Sequence, residues 1–334
     1  MNLIIPMAGV GKRMRPHTFT TPKPLIPVAG KPMVQHLVED ICAVSKEKID
    51  EIGFVVGRFG AEAEKNLLHI AEKAGSKGRI FYQDEALGTA HAVLCAADLL
   101  TRKVIVAFAD TLFRGNVTID DKQEGTIWVQ KVADPKAFGV VKLDNNNHVT
   151  GFIEKPQQFV SDLAIIGIYY FKDGAYLKKE LQYLIDNDVK EKGEYQLTYA
   201  LENMKKKGTK FTVAQVSEWL DCGNKNATLL TNKRMLETKP LEKKPASVKV
   251  ENSVIIQPCY LHEEITVKNS VIGPYVSIGQ GTSIENSNIS NSIIQDKCII
   301  KNVNICNSML GNYVQYEGGR GIVNMGDYSQ YKSE

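Results

Sequence analysis

The chain has 334 residues, of which 43% are hydrophobic and 24% charged, so it exceeds most single hydrophobic cores and two domains are expected. Its 41 lysines and arginines nearly balance its 38 aspartates and glutamates, and the formal net charge of +3 argues against a nucleic-acid partner or a membrane surface. No apolar stretch approaches the roughly 20 residues that span a bilayer, and we expect a cytoplasmic location.

Short aliphatic runs alternate with helix-like segments in the first part of the chain. We predict strands at 3–5, 52–56, 79–82 and 104–109, and helices at 33–44, 61–74 and 89–100. Continuous apolar strands between helices indicate a mostly parallel sheet that is covered on both faces. Ligands bind such sheets at the carboxyl ends of the strands, so Asp110 is a candidate site residue on position alone.

Strands dominate the next segment, and helices return after it. We predict strands at 126–132, 139–143, 164–171 and 210–216, and helices at 175–187 and 197–207. The segment 237–247 is charged and contains prolines, which is typical of a linker. We therefore predict a first domain at 1–236.

The sequence after this linker is repetitive. The pair Asn-Ser recurs at residues 252, 269 and 286, and again at 291 and 307. Isoleucines stand six residues apart at 272, 278 and 284, and again at 293, 299 and 305. A six-residue period with one inward aliphatic side chain is typical of a β-helix. We predict a short β-helix of hexapeptide repeats at 248–316, and we assign no structure to the tail at 317–334.

The strongest chemical signal follows the first predicted strand, at residues 9–25. Two glycines, at 9 and 11, allow close approach of the backbone, and three cations follow them. Backbone N–H groups in such a turn can bind a polyphosphate. The turn is not a P-loop, because Lys12 precedes Arg13 instead of Ser or Thr, and it is not a dinucleotide fingerprint, because Met14 stands where a third glycine is needed.

The pattern Gly-x-Gly-x-Arg-Met-x-Pro at 9–16, followed by Pro-Lys-Pro-Leu at 22–25, resembles the signature of the sugar-1-phosphate nucleotidylyltransferases. Further similar segments include Leu-Gly-Thr-Ala at 87–90, Phe-Gly-Val-Val at 138–141, Glu-Lys-Pro at 154–156 and Trp-Leu-Asp at 219–221. The resemblance covers essentially the whole chain, because such enzymes often carry a C-terminal left-handed β-helix. It implies an α/β fold with a Rossmann-like, mostly parallel sheet followed by that β-helix.

The resemblance also implies the chemistry. A phosphate oxygen of the sugar 1-phosphate would attack the α-phosphorus of a nucleoside triphosphate, and pyrophosphate would leave in line. Asp110 and Asp221 would hold Mg²⁺, which prefers carboxylate, phosphate and water oxygens. The catalytic cations would be Arg13, Lys23 and Lys155.

The resemblance implies two sets of binding residues. The nucleotide-binding set is Ala8, Gly9, Gly11, Lys12, Gln83, Gly88, Thr89 and Asp110. The sugar-phosphate-binding set is Gly139, Glu154 and Lys155.

The substrates are less closely defined. Gln83 and Gly88 resemble the base-reading pair of thymidylyl and uridylyl enzymes, and a Gln amide can both donate to and accept from a pyrimidine edge. We favour dTTP or UTP with glucose 1-phosphate, and a mannose-1-phosphate guanylyltransferase is the alternative. Family members commonly carry Asp in a Leu-Thr-Asp-Ala segment, but Tyr199 stands at that position here, which leaves the choice of sugar open.

Three other interpretations concern regulation, a second activity and assembly. A catalytically silent relative would bind a sugar nucleotide to regulate a partner, but the loop arginine, the lysines and the carboxylates are all present. An acetyltransferase in the β-helix would need a base, and the repeats offer only His262. The strand edges of a β-helix commonly form oligomer contacts, so we expect a homo-oligomer.

Overall fold

The computed structural model describes residues 1–115, 119–238 and 245–333, so residues 239–244 of the predicted linker lie outside the described residues. The chain forms two compact units. The first contains Met1–Gly9 and Val34–Trp219, and the second contains Val10–Met33 and Leu220–Glu334. The glycine-rich loop therefore groups with the C-terminal part of the chain. The domain boundaries proposed from the sequence stay a prediction.

The elements that precede the repeats are as follows. The strands are β1 (Asn2–Pro6), β2 (Pro27–Val28), β3 (Lys31–Pro32), β4 (Glu51–Val56), β5 (Lys77–Tyr82), β6 (Val104–Ala107), β7 (Thr111–Arg114), β8 (Gly125–Lys131), β9 (Gly139–Leu143), β10 (Val149–Glu154), β11 (Leu163–Phe171), β12 (Phe211–Gln215) and β13 (Glu218–Asp221). The helices are α1 (Met33–Val44), α2 (Ala61–Lys73), α3 (Thr89–Cys95), α4 (Gly174–Asp186), α5 (Leu197–Lys206) and α6 (Lys225–Thr238).

Every strand and helix predicted over this part of the chain is present. The predicted helix at 89–100 is shorter than expected, because α3 ends at Cys95 and a separate 3-10 turn follows at Ala97–Leu99. Sequence patterns missed β2, β3, β7, β10 and β13, and they did not delimit α6. Two of these strands have only four residues, too few for a clear period in the sequence.

A mixed sheet forms the first unit, with the order β10-β9-β11-β6-β1-β4-β5. β1 pairs in parallel with β4 and β6, and β4 pairs in parallel with β5. β11 is antiparallel to its neighbours, and β12 is parallel to β8. All five residues of β1 are buried, as expected for a strand covered on both faces. The Rossmann-like α/β prediction is confirmed, with a parallel half around β1 and an antiparallel half around β11.

The C-terminal strands are short. They are β14 (Lys249–Glu251), β15 (Val254–Ile255), β16 (Cys259–Leu261), β17 (Thr266–Lys268), β18 (Val271–Ile272), β19 (Val276–Ile278), β20 (Ser283–Glu285), β21 (Asn288–Ser290), β22 (Ile293–Ile294), β23 (Ile299–Cys306), β24 (Met309–Leu310), β25 (Gln315–Gly321), β26 (Asn324–Met325) and β27 (Gln330–Lys332). Each strand pairs in parallel with the equivalent strand of the next coil, which confirms the predicted left-handed β-helix. The tail left unassigned from the sequence supplies β26 and β27, which continue the stack.

The coils shorten along this β-helix. Serine hydroxyls accept backbone N–H bonds from the next coil at a separation of 17 residues for Ser253, 16 for Ser292 and 15 for Ser308. The inward positions therefore shift relative to a strict six-residue period. Ile299, expected to face inward, is 44% exposed, whereas Ile300 is fully buried, so this part of the prediction was wrong.

No helix in the described ranges is long and apolar enough to cross a membrane.

Candidate active site

The predicted site residues are distributed over both compact units. The first unit carries Ala8, Gly9, Gln83, Gly88, Thr89, Asp110, Gly139, Glu154 and Lys155, and the second carries Gly11, Lys12, Arg13, Lys23 and Asp221. Each unit brings some of them together, as the following contacts show.

The carboxyl edge of the parallel strands carries three of the predicted residues. Ala8 follows β1, Gln83 follows β5 and Asp110 follows β6, and neighbouring parallel strands end at the same edge of a sheet. The turn that carries Asp110 is fixed at both ends, because Phe108 N donates to Gly167 O at 2.9 Å and Thr111 Oγ1 donates to Ile166 O at 2.6 Å. Asp110 therefore sits on a rigid strand end, as position alone predicted.

The side-chain amide of Gln83 is held in one orientation. Its Nε2 donates to Gly88 O at 3.1 Å and lies 3.1 Å from His91 Nδ1. Burial lowers the pKa of His91, which favours a neutral ring whose Nδ1 can accept this hydrogen bond. These two contacts direct Nε2 towards the protein. The amide oxygen is therefore the atom of Gln83 that can bind a ligand. The orienting role of His91 was missed from the sequence, where no spacing distinguishes it.

Gly88 is required at its position by both space and backbone angle. Its φ is +108°, and a Cβ there would lie 2.5 Å from Tyr195 O and 2.7 Å from Tyr195 N. The neighbouring Thr89 hydroxyl accepts a hydrogen bond from Leu197 N at 2.9 Å and lies 3.3 Å from Gln196 Oε1, to which it donates. These bonds hold the 83–89 loop against the start of α5. Thr89 thus has a clear structural role next to its predicted place in the nucleotide site.

The predicted sugar-phosphate residues lie together on the β9–β10 hairpin. Glu154 pairs directly with Gly139, and a Cβ on Gly139 would lie 3.0 Å from Glu154 Oε2. Lys155 Nζ is 3.6 Å from Glu154 Oε1, and the lysine side chain is 53% exposed. The hairpin therefore presents a carboxylate and an ammonium group beside a residue with no side chain. This arrangement can bind a hydroxyl and an anion next to each other.

Two buried polar atoms border the same hairpin. Thr198 Oγ1 and Trp219 Nε1 have no hydrogen-bond partner among the residues that the structure describes. Thr198 lies 3.7 Å from the Cβ position of Gly139, and the Trp219 ring packs edge-on against Phe138 with 4.8 Å between ring centroids. Burying an unpaired donor costs about 1–3 kcal/mol, so a hydrogen bond from a ligand or a water molecule to either atom would be favourable. Both residues belong to segments that resembled the family, but neither was assigned a role from the sequence.

Tyr199, the residue that departs from the family pattern, follows Thr198 on α5. Burial is the main cause that raises the pKa of the Tyr199 hydroxyl, and the carboxylates of Glu191 and Glu154 add to it. Its hydroxyl lies 3.4 Å from Glu191 Oε2. Burial and then Glu154 also raise the pKa of Tyr169. Burial and the nearby carboxylates therefore favour the neutral form of both phenols.

In the second unit, Gly11 brings the two halves of the cationic loop together. It has φ +60° and begins the 3-10 turn Lys12–Met14, and a Cβ there would lie 3.0 Å from Lys23 Cβ and from Thr18 Cγ2. Thr18 Oγ1 donates to Gly11 O at 2.9 Å. The loop thus folds back on itself and places Lys23 beside the turn that carries Arg13.

Gly223 is flanked by two predicted site residues from distant parts of the chain. A Cβ on Gly223 would lie 3.0 Å from both carboxylate oxygens of Asp221 and 3.2 Å from Arg13 Nη2. Asp221 Oδ1 also accepts a hydrogen bond from Gly223 N at 3.0 Å. A cation that suits a phosphate therefore lies beside a carboxylate that suits a metal ion.

The described residues contain no group of three or more His, Cys, Asp or Glu side chains arranged to hold a metal ion. A cation bound here would have to complete its shell with water and ligand oxygens. This is the usual situation for Mg²⁺ at a site that binds phosphates.

Comparison with known proteins shows to which family the chain belongs. The sequence model of the nucleotidyl transferase family matches residues 3–238, more than half of the chain. The low-salt glycan biosynthesis nucleotidyltransferase Agl11 of Haloferax volcanii is 29% identical, over 93% of this chain and 92% of its own length. A glucose-1-phosphate thymidylyltransferase of Streptomyces griseus is 28% identical, over 94% of this chain and 93% of its own length.

Two further similarities cover a smaller share of this chain or of the matched protein. The bifunctional protein GlmU of Methanococcus maripaludis is 33% identical over 79% of this chain, and the match spans 61% of that protein. A solved structure of a Bacillus anthracis protein assigned as a glucose-1-phosphate thymidylyltransferase, in complex with sucrose, superposes with a TM-score of 0.62. It is 25% identical, and the match covers 73% of this chain and 98% of that one.

Proposed function

Because the chain belongs to the nucleotidyl transferase family, we propose that it joins a nucleoside triphosphate, dTTP or UTP, to glucose 1-phosphate and releases pyrophosphate. The observation that carries this proposal is the position of Arg13 beside Asp221, around Gly223. A reaction between two phosphates needs cationic groups against charge repulsion and carboxylates to hold a metal ion. Both kinds of group stand here side by side.

The nucleotide half of the reaction depends on the glycine-rich loop. Backbone N–H groups near Gly9 and Gly11 would bind the triphosphate, with Lys12 beside them. Arg13 would stabilise the charge that develops as pyrophosphate leaves, and Lys23 would lie near the α-phosphate. The attacking phosphate is already ionised at neutral pH, so the reaction needs positioning more than a general base.

Magnesium would be the cofactor of this reaction. The resemblance to the family implies Asp110 and Asp221 as its ligands, and carboxylates are among the oxygen ligands that Mg²⁺ prefers. The bound ion would screen the negative charge of the phosphates. The protein's own part is to hold the two carboxylates on fixed elements: the turn after β6 and the end of β13.

The sugar phosphate would bind at the β9–β10 hairpin. Glu154 would accept hydrogen bonds from sugar hydroxyls, and Lys155 would bind the phosphate. In this ligand the buried Thr198 hydroxyl and Trp219 indole N–H would find hydrogen-bond partners that the described residues do not offer. We propose glucose 1-phosphate because long relatives of near-complete coverage are named for it.

The base would be read by Gln83. With Nε2 held by Gly88 O and His91, the amide oxygen would accept the N3–H that thymine and uracil share. Guanine also carries a ring N–H, so a mannose-1-phosphate guanylyltransferase is the alternative. A single methyl group separates thymine from uracil, and a close-fitting pocket discriminates such a difference by only about 1–3 kcal/mol.

The test is pyrophosphate release in the presence of Mg²⁺, with several nucleoside triphosphates crossed against the 1-phosphates of glucose, mannose, galactose and N-acetylglucosamine. Activity led by dTTP or UTP with glucose 1-phosphate supports the proposal. Highest activity with GTP and mannose 1-phosphate would support the reaction type but contradict our hypothesis that Gln83 recognises a pyrimidine. Absence of turnover with every pair would favour a silent regulatory relative that only binds sugar nucleotides.

We also propose that the chain forms a homo-oligomer through its β-helix, whose strand edges can pair with other chains. Light scattering at micromolar concentration tests this, and a monomeric mass would contradict it.

A further inference from the structure

The last coil of the β-helix contacts the glycine-rich loop. Thr20 Oγ1 donates to Asp327 Oδ2 at 2.8 Å, and His17 Nε2 lies 2.8 Å from Asn324 Oδ1. Thr21 Oγ1 is 3.5 Å from the same Asp327 oxygen. These hydrogen bonds join residues some 307 positions apart in the sequence, and all of them lie within the second compact unit.

The contact is close packed as well as hydrogen-bonded. A Cβ on Gly326 would lie 3.0 Å from Pro16 Cβ and 3.2 Å from Pro16 O. His17 is only 1% exposed, and its Nδ1 has no hydrogen-bond partner in the described part of the chain. Burial lowers the pKa of His17, consistent with a neutral ring whose Nε2–H donates to Asn324. The loop therefore has little freedom to move away from the last coil.

The anchored segment is short and rigidly connected to the proposed phosphate site. Phe19 N donates to Pro16 O, and Thr21 N donates to His17 O, so residues 16–21 form tight turns. Thr18, between the two anchor points, donates to Gly11 O at 2.9 Å. Because these connections are short, a displacement of Thr20 or His17 would also displace the turn that carries Arg13.

We propose that Asn324 and Asp327 are positioning residues for the reaction: they hold the 16–21 segment so that Gly11 and Arg13 meet the triphosphate in the right geometry. This inference rests on the proposed function. Neither residue would touch the substrates or the metal ion. They act through Thr20 and His17, and the C-terminal tail thereby becomes part of the catalytic apparatus.

The chain offers a matched control for Asp327. Asp296 stands at the equivalent corner two coils earlier, where its Oδ1 accepts a hydrogen bond from Gln280 N at 2.8 Å. Asp327 Oδ1 accepts the same bond from Asn312 N at 2.8 Å. Replacing either aspartate by Ala removes one such bond of the β-helix. Asp327→Ala also removes the acceptor of Asn312 Nδ2, at 3.1 Å within the β-helix, and the acceptor of Thr20. Thr20→Val removes the same contact from the loop side.

The experiment measures two quantities on the full chain for Asp327→Ala, Thr20→Val, Thr20→Ser and Asp296→Ala. The first is hydrogen–deuterium exchange of the amides at 11–21, and the second is kcat and KM for the triphosphate and for the sugar 1-phosphate. We expect faster exchange and a loss of about tenfold in kcat/KM for the triphosphate in Asp327→Ala and Thr20→Val. Thr20→Ser and Asp296→Ala should stay close to the wild type, and KM for the sugar phosphate should change little in all four.

Each contrary result overturns a distinct statement. Equal exchange in Asp327→Ala and Asp296→Ala would show that the last coil does not hold the loop. Faster exchange with unchanged kcat/KM would show that the loop is held but that this does not serve the reaction. A wild-type protein without turnover would reject the proposed function and with it the positioning role, while the exchange data would still decide whether the last coil holds the loop.

Discussion

Arg13 and Asp221 lie on either side of Gly223, where the space for a Cβ is bounded by Arg13 Nη2 at 3.2 Å and by both carboxylate oxygens at 3.0 Å. The two residues are far apart in sequence and carry opposite charges. Their closeness explains why a glycine is needed between Asp221 and α6. It also makes this glycine a sensitive test of the site.

Gly223→Ala should therefore impair activity without unfolding the chain. A Cβ would displace the carboxylate or the guanidinium by a few tenths of an ångström, and we expect kcat/KM to fall about tenfold or more. Steady-state kinetics at several Mg²⁺ concentrations measure this, with thermal unfolding as the check on the fold. Gly151→Ala is the control, because its nearest neighbour would be Ile153 Cδ1 at 3.8 Å. Equal activity in both variants would contradict our view of Gly223.

Asp110→Asn tests the proposed metal ligand at the end of β6. The amide keeps the shape of the side chain but removes the negative charge, so turnover should fall about 100-fold or more, with the unfolding temperature nearly unchanged. Asp186→Asn, at an exposed position where Asp186 Oδ1 accepts from Gln182 Nε2, should leave turnover intact. Near-normal activity of Asp110→Asn would remove Asp110 from the metal site.

Thr198→Val separates stability from binding. The Thr198 hydroxyl is buried without a partner, so its removal should raise the free energy of unfolding by about 1 kcal/mol. The same change should raise KM for the sugar 1-phosphate several-fold, because the ligand loses a hydrogen bond. Thr126→Val is the control: its hydroxyl is 3.4 Å from Thr212 Oγ1, so its loss should lower stability. Chemical denaturation measures the stability of both variants, and steady-state kinetics measure KM for the sugar 1-phosphate. A destabilised Thr198→Val variant would contradict the prediction.

Tyr199 should influence which sugar is accepted, since it follows Thr198, whose methyl group lies beside Gly139 of the β9–β10 hairpin. Tyr199→Phe removes only the hydroxyl that contacts Glu191, and we expect it to keep the sugar preference of the wild type. Tyr199→Asp restores the residue that family members commonly carry and should change the ratio of kcat/KM between glucose 1-phosphate and its competitors about tenfold. If both variants keep the wild-type ratio, the aromatic ring plays no part in selecting the sugar.

His17 should make the folded chain less stable in mild acid. Its pKa lies below the ordinary 6.5 because it is buried, so the unfolded chain binds its proton more readily as the pH falls below 6.5. The stability that the neutral ring contributes is complete above that value and declines below it. His17→Gln should reduce the fall in unfolding temperature between about pH 7.5 and about pH 5 by about 2 °C or more. The control is His69→Gln, because the His69 side chain is 57% exposed. This variant should show the same fall in unfolding temperature as the wild type.

The sequence by itself determined the features that arise from local pattern. Alternating apolar runs and helical periods identified the strands and helices of the first unit, because burial on one or both faces imposes those periods. The two glycines before Arg13 led to the prediction of a phosphate-binding loop, because residues without a side chain allow close approach of the backbone. The repeated Asn-Ser pairs identified the β-helix, because each coil repeats one backbone path.

Only the tertiary structure decided what depends on exact length and on distant neighbours. Ile300 faces inward in place of Ile299 because the coils shorten from 17 to 16 residues, and a fixed period of six cannot show such a change. The Thr198 hydroxyl is unpaired because the surrounding fold buries it and, among the described residues, offers it no acceptor. Thr20 and Asp327 meet across 307 residues because the last coil returns to the loop, a contact that no local pattern encodes.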